Sequence, residues 1–243
     1  MYRMHGQLRL LLDAAFAGED RVFGIEHLAS DRLVTLLAGG ALPSVDTLYD
    51  DLARFGEAEV AALEAMVADA GLSALRERRP GVIHVDADTT VTPLFGQQEG
   101  AKAGPNPRYR GRPSYHPILA YCPEVNRVLG ARLRPGDTGF GDADIPRLRA
   151  WLERVREAVG DRCAISVRID AAGDCAALVD MLVGIGVHFV IKARQTRDLR
   201  AAVSEIPASK WETSEVEEAG GRPMQQWAWC RSRACRGCSA PRG

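Results

Sequence analysis

Three aspartates and two threonines hold the most chemically suggestive spacing in this 243-residue chain. The stretch GVIHVDADTTVTPLFGQQEG, residues 81–100, runs an apolar segment straight into Asp86, Asp88, Thr89 and Thr90, and a later stretch, CAISVRID, ends in Asp170. Acid at the end of a buried strand has two chemical uses here. One is nucleophilic: in a D-x-D-x-T pattern Asp86 would attack phosphorus and Asp88 would act as general acid. The other is metal binding. Side chains alternate along a strand, so Asp86 and Asp88 face the same way, and paired carboxylates need a counter-charge that a divalent cation supplies. Magnesium takes one or two protein carboxylates and fills its shell with waters and phosphate oxygens, an arrangement suited to in-line displacement at phosphorus. A third use is structural, one aspartate capping a turn through Thr89 or Thr90.

The elements that position these groups follow from the hydrophobic period. Before residue 79 the pattern is helical. Ser44 stands at an N-cap position ahead of Leu48, Leu52 and Phe55, and Val60, Leu63 and Val67 mark a second helix for which Gly71 is the expected stop. After RERRPG the period shortens. GVIHVDAD, SYHPILAYC and RVLGARLRPG read as three hairpin-connected strands, with GAKAGPNPRYRGRP as a loop between the first two. DADIPRLRAWLERVREAV then places Ile145, Leu148, Trp151, Leu152 and Val155 on one helical face, followed by strand CAISVRID, helix DCAALVDMLVGIG and strand VHFVIKAR. Right-handed crossovers make the last two strands parallel to the first. The predicted fold is therefore α/β: an antiparallel three-strand meander plus parallel strands with flanking helices, preceded by a small all-helical region. Ligand sites in such sheets lie beyond the carboxyl ends of the parallel strands, where Asp88 and Asp170 are expected to meet.

Composition bounds the partners. With 46% hydrophobic and 26% charged residues and a net charge of −1, the chain is neither disordered nor a polycation. No apolar run reaches the roughly 18 residues of a membrane span, and a cytoplasmic protein is expected. Cys122, Cys163 and Cys175 lie in apolar segments and read as buried reduced thiols. Cys230, Cys235 and Cys238 fall one ligand short of a four-coordinate zinc site. Charge is unevenly distributed: residues 1–75 carry 5 basic and 12 acidic side chains, whereas Lys102 to Arg134 carry 7 basic and 1 acidic, interleaved with tyrosines. Such a block can track a phosphate backbone or form a solvated loop. Residues 201–229 could hold two or three strands, and the tail CRSRACRGCSAPRG has neither helical nor strand period.

Taken together, DADTTVTPLFGQQEGAKAGPNPRYRGRPSYHPILAY and RIDAAGDCAALVDMLVGIGVHFVIKAR resemble the DDE transposases of bacterial insertion sequences, group 1, over roughly residues 25–215. The resemblance rests on Asp88 followed by threonine, Gly96, Tyr115-His116-Pro117, Arg168, Asp170 and Gly173, and on the helix start LPSVDTLYDDL. It implies a ribonuclease-H-like core over 79–200, a helical region over 1–78 suited to binding DNA ends, the start of a β-rich insertion over 201–229, and an irregular tail from 230. Asp88 and Asp170 would be catalytic and hold Mg2+ (or Mn2+), with Asp86 auxiliary. Lys102, Arg108, Arg110, Arg112, His116, Arg132 and Arg134 would lie along DNA, the partner being element ends and target, with two copies pairing on it. Two departures stand out. DAAGDC replaces the usual turn after the second aspartate, and the family's third acid, a helical glutamate, is expected beyond residue 243, since Glu205, Glu212, Glu215, Glu217 and Glu218 come too early. A truncated copy, inactive alone, is therefore expected.

Two alternatives stay open. A haloacid-dehalogenase-type phosphatase would use Asp86 as nucleophile, with GDTGFGD (136–142) as its later acidic motif, although the 51 residues to Asp137 lack a helical crossover. A non-catalytic DNA-binding remnant is the other.

Overall fold

In the computed structural model, residues 4–104, 106, 109–213 and 226–228 are described. The chain divides into two compact units, Met1–Leu63 and Glu64–Gly243. In the first, helix α1 (Met4–Phe16), a 3-10 turn (Val22–Leu28), α2 (Arg32–Leu37) and α3 (Val45–Leu52) surround Leu10, Ala14, Ile25, Val34 and Leu48. Side-chain oxygens start the short helices: Asp31 accepts from the Leu33 and Val34 amides, and Ser44, as its position predicts, from Thr47. Helix α4 (Glu57–Arg78) begins in this unit and ends in the next.

The second unit is a five-stranded mixed sheet. Strand β1 (Val82–Thr89) is followed by a small three-stranded sheet of β2 (Thr92–Pro93), β3 (Lys102–Ala103) and β4 (Pro113–Tyr115), then by β5 (Ile118–Cys122) and β6 (Arg127–Arg132). Helix α5 (Asp144–Val159), β7 (Ala164–Ile169), α6 (Ala176–Gly184) and β8 (His188–Ile191) complete it. The strand order is β6-β5-β1-β7-β8, with β5 antiparallel to β1 and β6, and β7 and β8 parallel to β1. This is the ribonuclease-H-like α/β fold that the sequence implies, preceded by the expected helices.

Alternation along the strands divides the sheet into two faces. Ile83, Val85 and Ala87 of β1, with Ile165, Val167 and Ile169 of β7, are buried against Leu72 and Leu75 of α4, Leu148, Leu152 and Val155 of α5, and Leu178 and Leu182 of α6. The residues between them, His84, Asp86, Asp88, Ser166, Arg168, His188 and Val190, are half-buried or exposed on the other face.

One local expectation needs correction. Gly71 does not end a helix: α4 runs through it to Arg78. A β-carbon at Gly71 would sit 2.4 Å from the Val128 carbonyl oxygen of β6, so glycine is there for close helix-to-strand approach, which outweighs its low helix propensity. The segment 201–229, read as holding two or three strands, opens within helix α7 (Arg197–Ser204), whose N-cap Thr196 accepts from the Leu199 amide. Among the described residues two short paired strands follow, β9 (Glu212–Thr213) and β10 (Gln226–Trp227), in keeping with that reading. The irregular tail with Cys230, Cys235 and Cys238 lies outside the described residues.

Candidate active site

The parallel register sets the site. Asp86 pairs with Arg168 and Ala87 with Ile169 across β1 and β7, while Arg168 pairs with Val190 and Ile169 with Ile191 across β7 and β8. One position further come Asp88, next to last in β1, and Asp170 and Lys192, which directly follow β7 and β8. Neighbouring strands lie roughly 4.8 Å apart, so these three residues form a row at the carboxyl edge of the sheet. The Lys192 amide donating to the Ile169 carbonyl at 3.1 Å extends the β7–β8 ladder to this point. Asp86, Asp88, Arg168, Asp170 and Lys192 line one open recess of about 460 Å³, with Val190 and Ile191 as its apolar side.

The three aspartates differ in what their oxygens do. Both oxygens of Asp86 are taken by Arg168, Nε to Oδ1 at 2.5 Å and Nη2 to Oδ2 at 2.7 Å. This fork-to-fork geometry is the strong form of the pair, and its hydrogen bonds raise the Arg168 pKa above its ordinary value. Asp88 accepts through Oδ1 from the Thr89 amide at 2.8 Å, and Asp170 through Oδ1 from the Ala172 amide at 2.9 Å. Each therefore holds one oxygen in place locally, and both residues line the recess. The turn after Asp170 (Ala171–Gly173) closes tightly, since a β-carbon at Gly173 would meet Ile169 Cγ2 at 2.4 Å. Arg194 braces it, its amide donating to Asp174 Oδ2 at 2.6 Å and its Nε to the Ala171 carbonyl at 3.1 Å.

Two hard carboxylates facing solvent suit a magnesium-type ion, which leaves most of its shell to water and phosphate. Asp86 does not join them while Arg168 holds it. Among the described residues no group of three or more His, Cys, Asp or Glu is arranged to bind a metal.

The sequence model of the transposase DDE domain group 1 family matches residues 1–233. The chain belongs to this DDE family. Solved transposases align with it at low similarity. The piggyBac transposase synaptic complex with hairpin DNA aligns over 87% of this chain and 46% of its own, with 9% identity and a TM-score of 0.44. The Drosophila P element transposase strand transfer complex aligns over 74% and 41%, at 12% and 0.33. The Mos1 mariner paired end complex with Mn aligns over 76% and 63%, at 10% and 0.28. The DDE chain thus spans about half the length of the piggyBac transposase. No match is found among curated protein sequences.

The basic block behaves differently from its charge count. Arg134 is buried and structural: Nη1 reaches Asp144 at 2.5 Å and Nε donates to the His116 carbonyl at 2.8 Å. Arg132 pairs with Glu64 at 3.3 Å and Lys102 with Asp137 at 3.3 Å. His116 is partly buried, its amide bonded to the Arg134 carbonyl. Arg112 stacks over Phe95 at 4.6 Å, and with Arg110 it stays exposed, neither having an acidic partner among the described residues. Arg108 lies outside the described residues. The phosphatase alternative loses its nucleophile, because both Asp86 oxygens are engaged. Its later motif fails too, Asp137 being paired with Lys102, and β5 beside β1 is antiparallel with no helical crossover.

Sequence reasoning missed Lys192 as a member of the site and Arg168 as the partner that withdraws Asp86. Both were findable by counting register: if 86 lies beside 168, then 88 lies beside 170. The last strand, VHFVIKAR, then brings its lysine into the same row.

Proposed function

We propose that the chain is the metal-dependent phosphoryl-transfer core of a DNA transposase from a bacterial insertion sequence, with Asp88 and Asp170 as its metal-holding carboxylates. The adjacency of these two residues at the carboxyl ends of parallel strands carries the reading. Mg2+ (or Mn2+) bound there would neutralise charge on a DNA phosphodiester and favour in-line attack, first of water and then of a freed 3′ hydroxyl. The chain's own residues position that chemistry. The Thr89 and Ala172 amides fix the orientation of the two carboxylates, and Arg168 neutralises Asp86 so that a third uncompensated negative charge does not face the phosphate. Residues 79–200 serve as the core, 1–78 as a module for the element ends, and 201–229 as the beginning of an insertion. The partners are DNA and a second copy of the chain on it.

We also propose that the 243-residue polypeptide alone does not cut DNA. Among the described residues no third carboxylate joins the pair, and an error of about 1 Å in placing reacting groups costs on the order of 100-fold in rate. Titrating Mn2+ into the purified chain, followed by its electron paramagnetic resonance, tests the site. Binding should weaken at least tenfold in Asp88→Asn and in Asp170→Asn. Unchanged binding in the double variant would sink the assignment. Metal-dependent nicking of DNA by the chain alone, lost in Asp88→Ala, would overturn the inactivity.

A further inference from the structure

The recess holds one cation that the two-carboxylate chemistry does not use. Lys192 directly follows β8 in the row formed with Asp88 and Asp170, and its exposed ammonium has no ion pair within 4.0 Å among the described residues. Beyond it the chain reads Lys192-Ala-Arg-Gln-Thr-Arg197-Asp-Leu-Arg200, so four cations stand in nine residues against a single acid. Arg194, Arg197 and Arg200 are exposed, and none forms an ion pair among the described residues. The strip is also fixed relative to the carboxylates. The amide and Nε of Arg194 are tied to the turn that follows Asp170, which leaves its two terminal nitrogens uncommitted, and Thr196 caps α7 directly before Arg197.

Resting on the proposed transposase reading, we infer that this β8–α7 strip, led by Lys192, is the surface that grips the DNA phosphate backbone where it enters the carboxylate pair. Two observations select it over the 102–134 block. In that block Lys102, Arg132 and Arg134 already have acidic partners. The strip, by contrast, begins inside the recess that Asp88 and Asp170 line. A phosphodiester approaching two carboxylates meets repulsion, and a lysine beside them with arginines leading away supplies an attractive track. An ammonium on a flexible stem suits the first position, since it follows a phosphate oxygen as a point charge without imposing fork geometry.

The test is duplex binding by the purified full chain. Fluorescence anisotropy with a labelled 20-base-pair DNA, in EDTA and across a salt series, gives log affinity against log salt, and each phosphate contact contributes about 0.9 to the slope. The triple variant Lys192→Gln, Arg197→Gln, Arg200→Gln should lower the slope by about 2 to 3 and weaken binding at least tenfold at the lowest salt, with its thermal unfolding unchanged because all three side chains are exposed. Lys192→Arg should retain wild-type slope. Arg110→Gln with Arg112→Gln should change affinity by less than the triple variant does. A triple variant that binds within twofold of wild type at unchanged slope overturns the strip while leaving the metal-site reading intact. Wild-type chain that shows no salt-dependent binding overturns both.

Discussion

Glu124 should be among the largest single electrostatic contributors to the stability of the sheet. It follows β5, and its carboxylate accepts three hydrogen bonds: from the His84 amide at 3.0 Å, from His84 Nδ1 at 2.7 Å and from Cys122 Sγ at 3.2 Å. Burial pushes its pKa up, but the hydrogen bonds from His84 and Cys122 outweigh that and hold it down at about 2, against 4.5 ordinarily. The side chain is 23% exposed, so solvent screens it only in part. A tenfold change in proton affinity between the folded and unfolded chain corresponds to about 1.4 kcal/mol, which places the carboxylate's contribution near 3 kcal/mol at neutral pH. The folded-state pKa is depressed, so this contribution is fully present above pH 4.5 and is lost as pH falls through 2. By the same linkage about 1.4 kcal/mol remains at pH 3. Glu124→Gln keeps the shape and removes the charge. Urea unfolding, monitored by tryptophan fluorescence and far-ultraviolet circular dichroism, should show a loss of about 2–3 kcal/mol at pH 7 that shrinks at least twofold by pH 3. A variant within about 0.5 kcal/mol of wild type at pH 7, the range of ordinary surface changes, would refute the reasoning. So would a deficit that is the same at both pH values.

Other measurements probe separate parts of the same unit. Arg134→Met should cost about 3–5 kcal/mol by leaving Asp144 buried without its main partner, and it should leave the salt slope of DNA binding unchanged in whatever fraction stays folded. Cys122, whose thiol burial and the neighbouring Glu124 push up to about 12, should resist a disulfide reagent at pH 8 in the native chain and react at once in urea, while the less buried Cys175 reacts before Cys122 and Cys163. Gly71→Ala should destabilise by about 1–3 kcal/mol through overpacking against the Val128 carbonyl, despite alanine's advantage of about 1 kcal/mol within a helix; a gain in melting temperature would show that α4 can retreat from β6.

The sheet was legible because its information is local and periodic. Alternation fixed which residues of GVIHVDAD and CAISVRID face the helices, the missing crossover between the first three strands made them a meander, and the helical pattern on either side of the fourth strand made the last two parallel. Helix α5 followed the same logic, with Leu148, Leu152 and Val155 buried as their spacing requires. Long-range pairing was not legible. Arg132 meets Glu64 68 positions away and Arg168 meets Asp86 82 positions away, so a run of basic residues counted along the chain gives no measure of how many stay free. Gly71 failed for a related reason: a glycine near a plausible helix end signals a stop when read locally, and only the approach of β6 shows that it permits contact.

The row of Asp88, Asp170 and Lys192 shows how both kinds of information combine at the site. Each residue lies at the carboxyl end of a strand that is identifiable from sequence, inside it or just past it, yet which strands adjoin and in what register depends on the whole sheet. Once β1, β7 and β8 are parallel and in step, the alternation that buries Ala87, Ile169 and the half-buried Ile191 on one side must present the next residue of each strand on the other. Burying the apolar residues thus aligns the three charged ends without any attraction between them. Two like charges side by side at this edge cost free energy in the absence of a cation, and the molecule meets that cost by leaving the edge open to solvent. Such a local violation of what stability alone would favour is expected where a site is kept for a ligand.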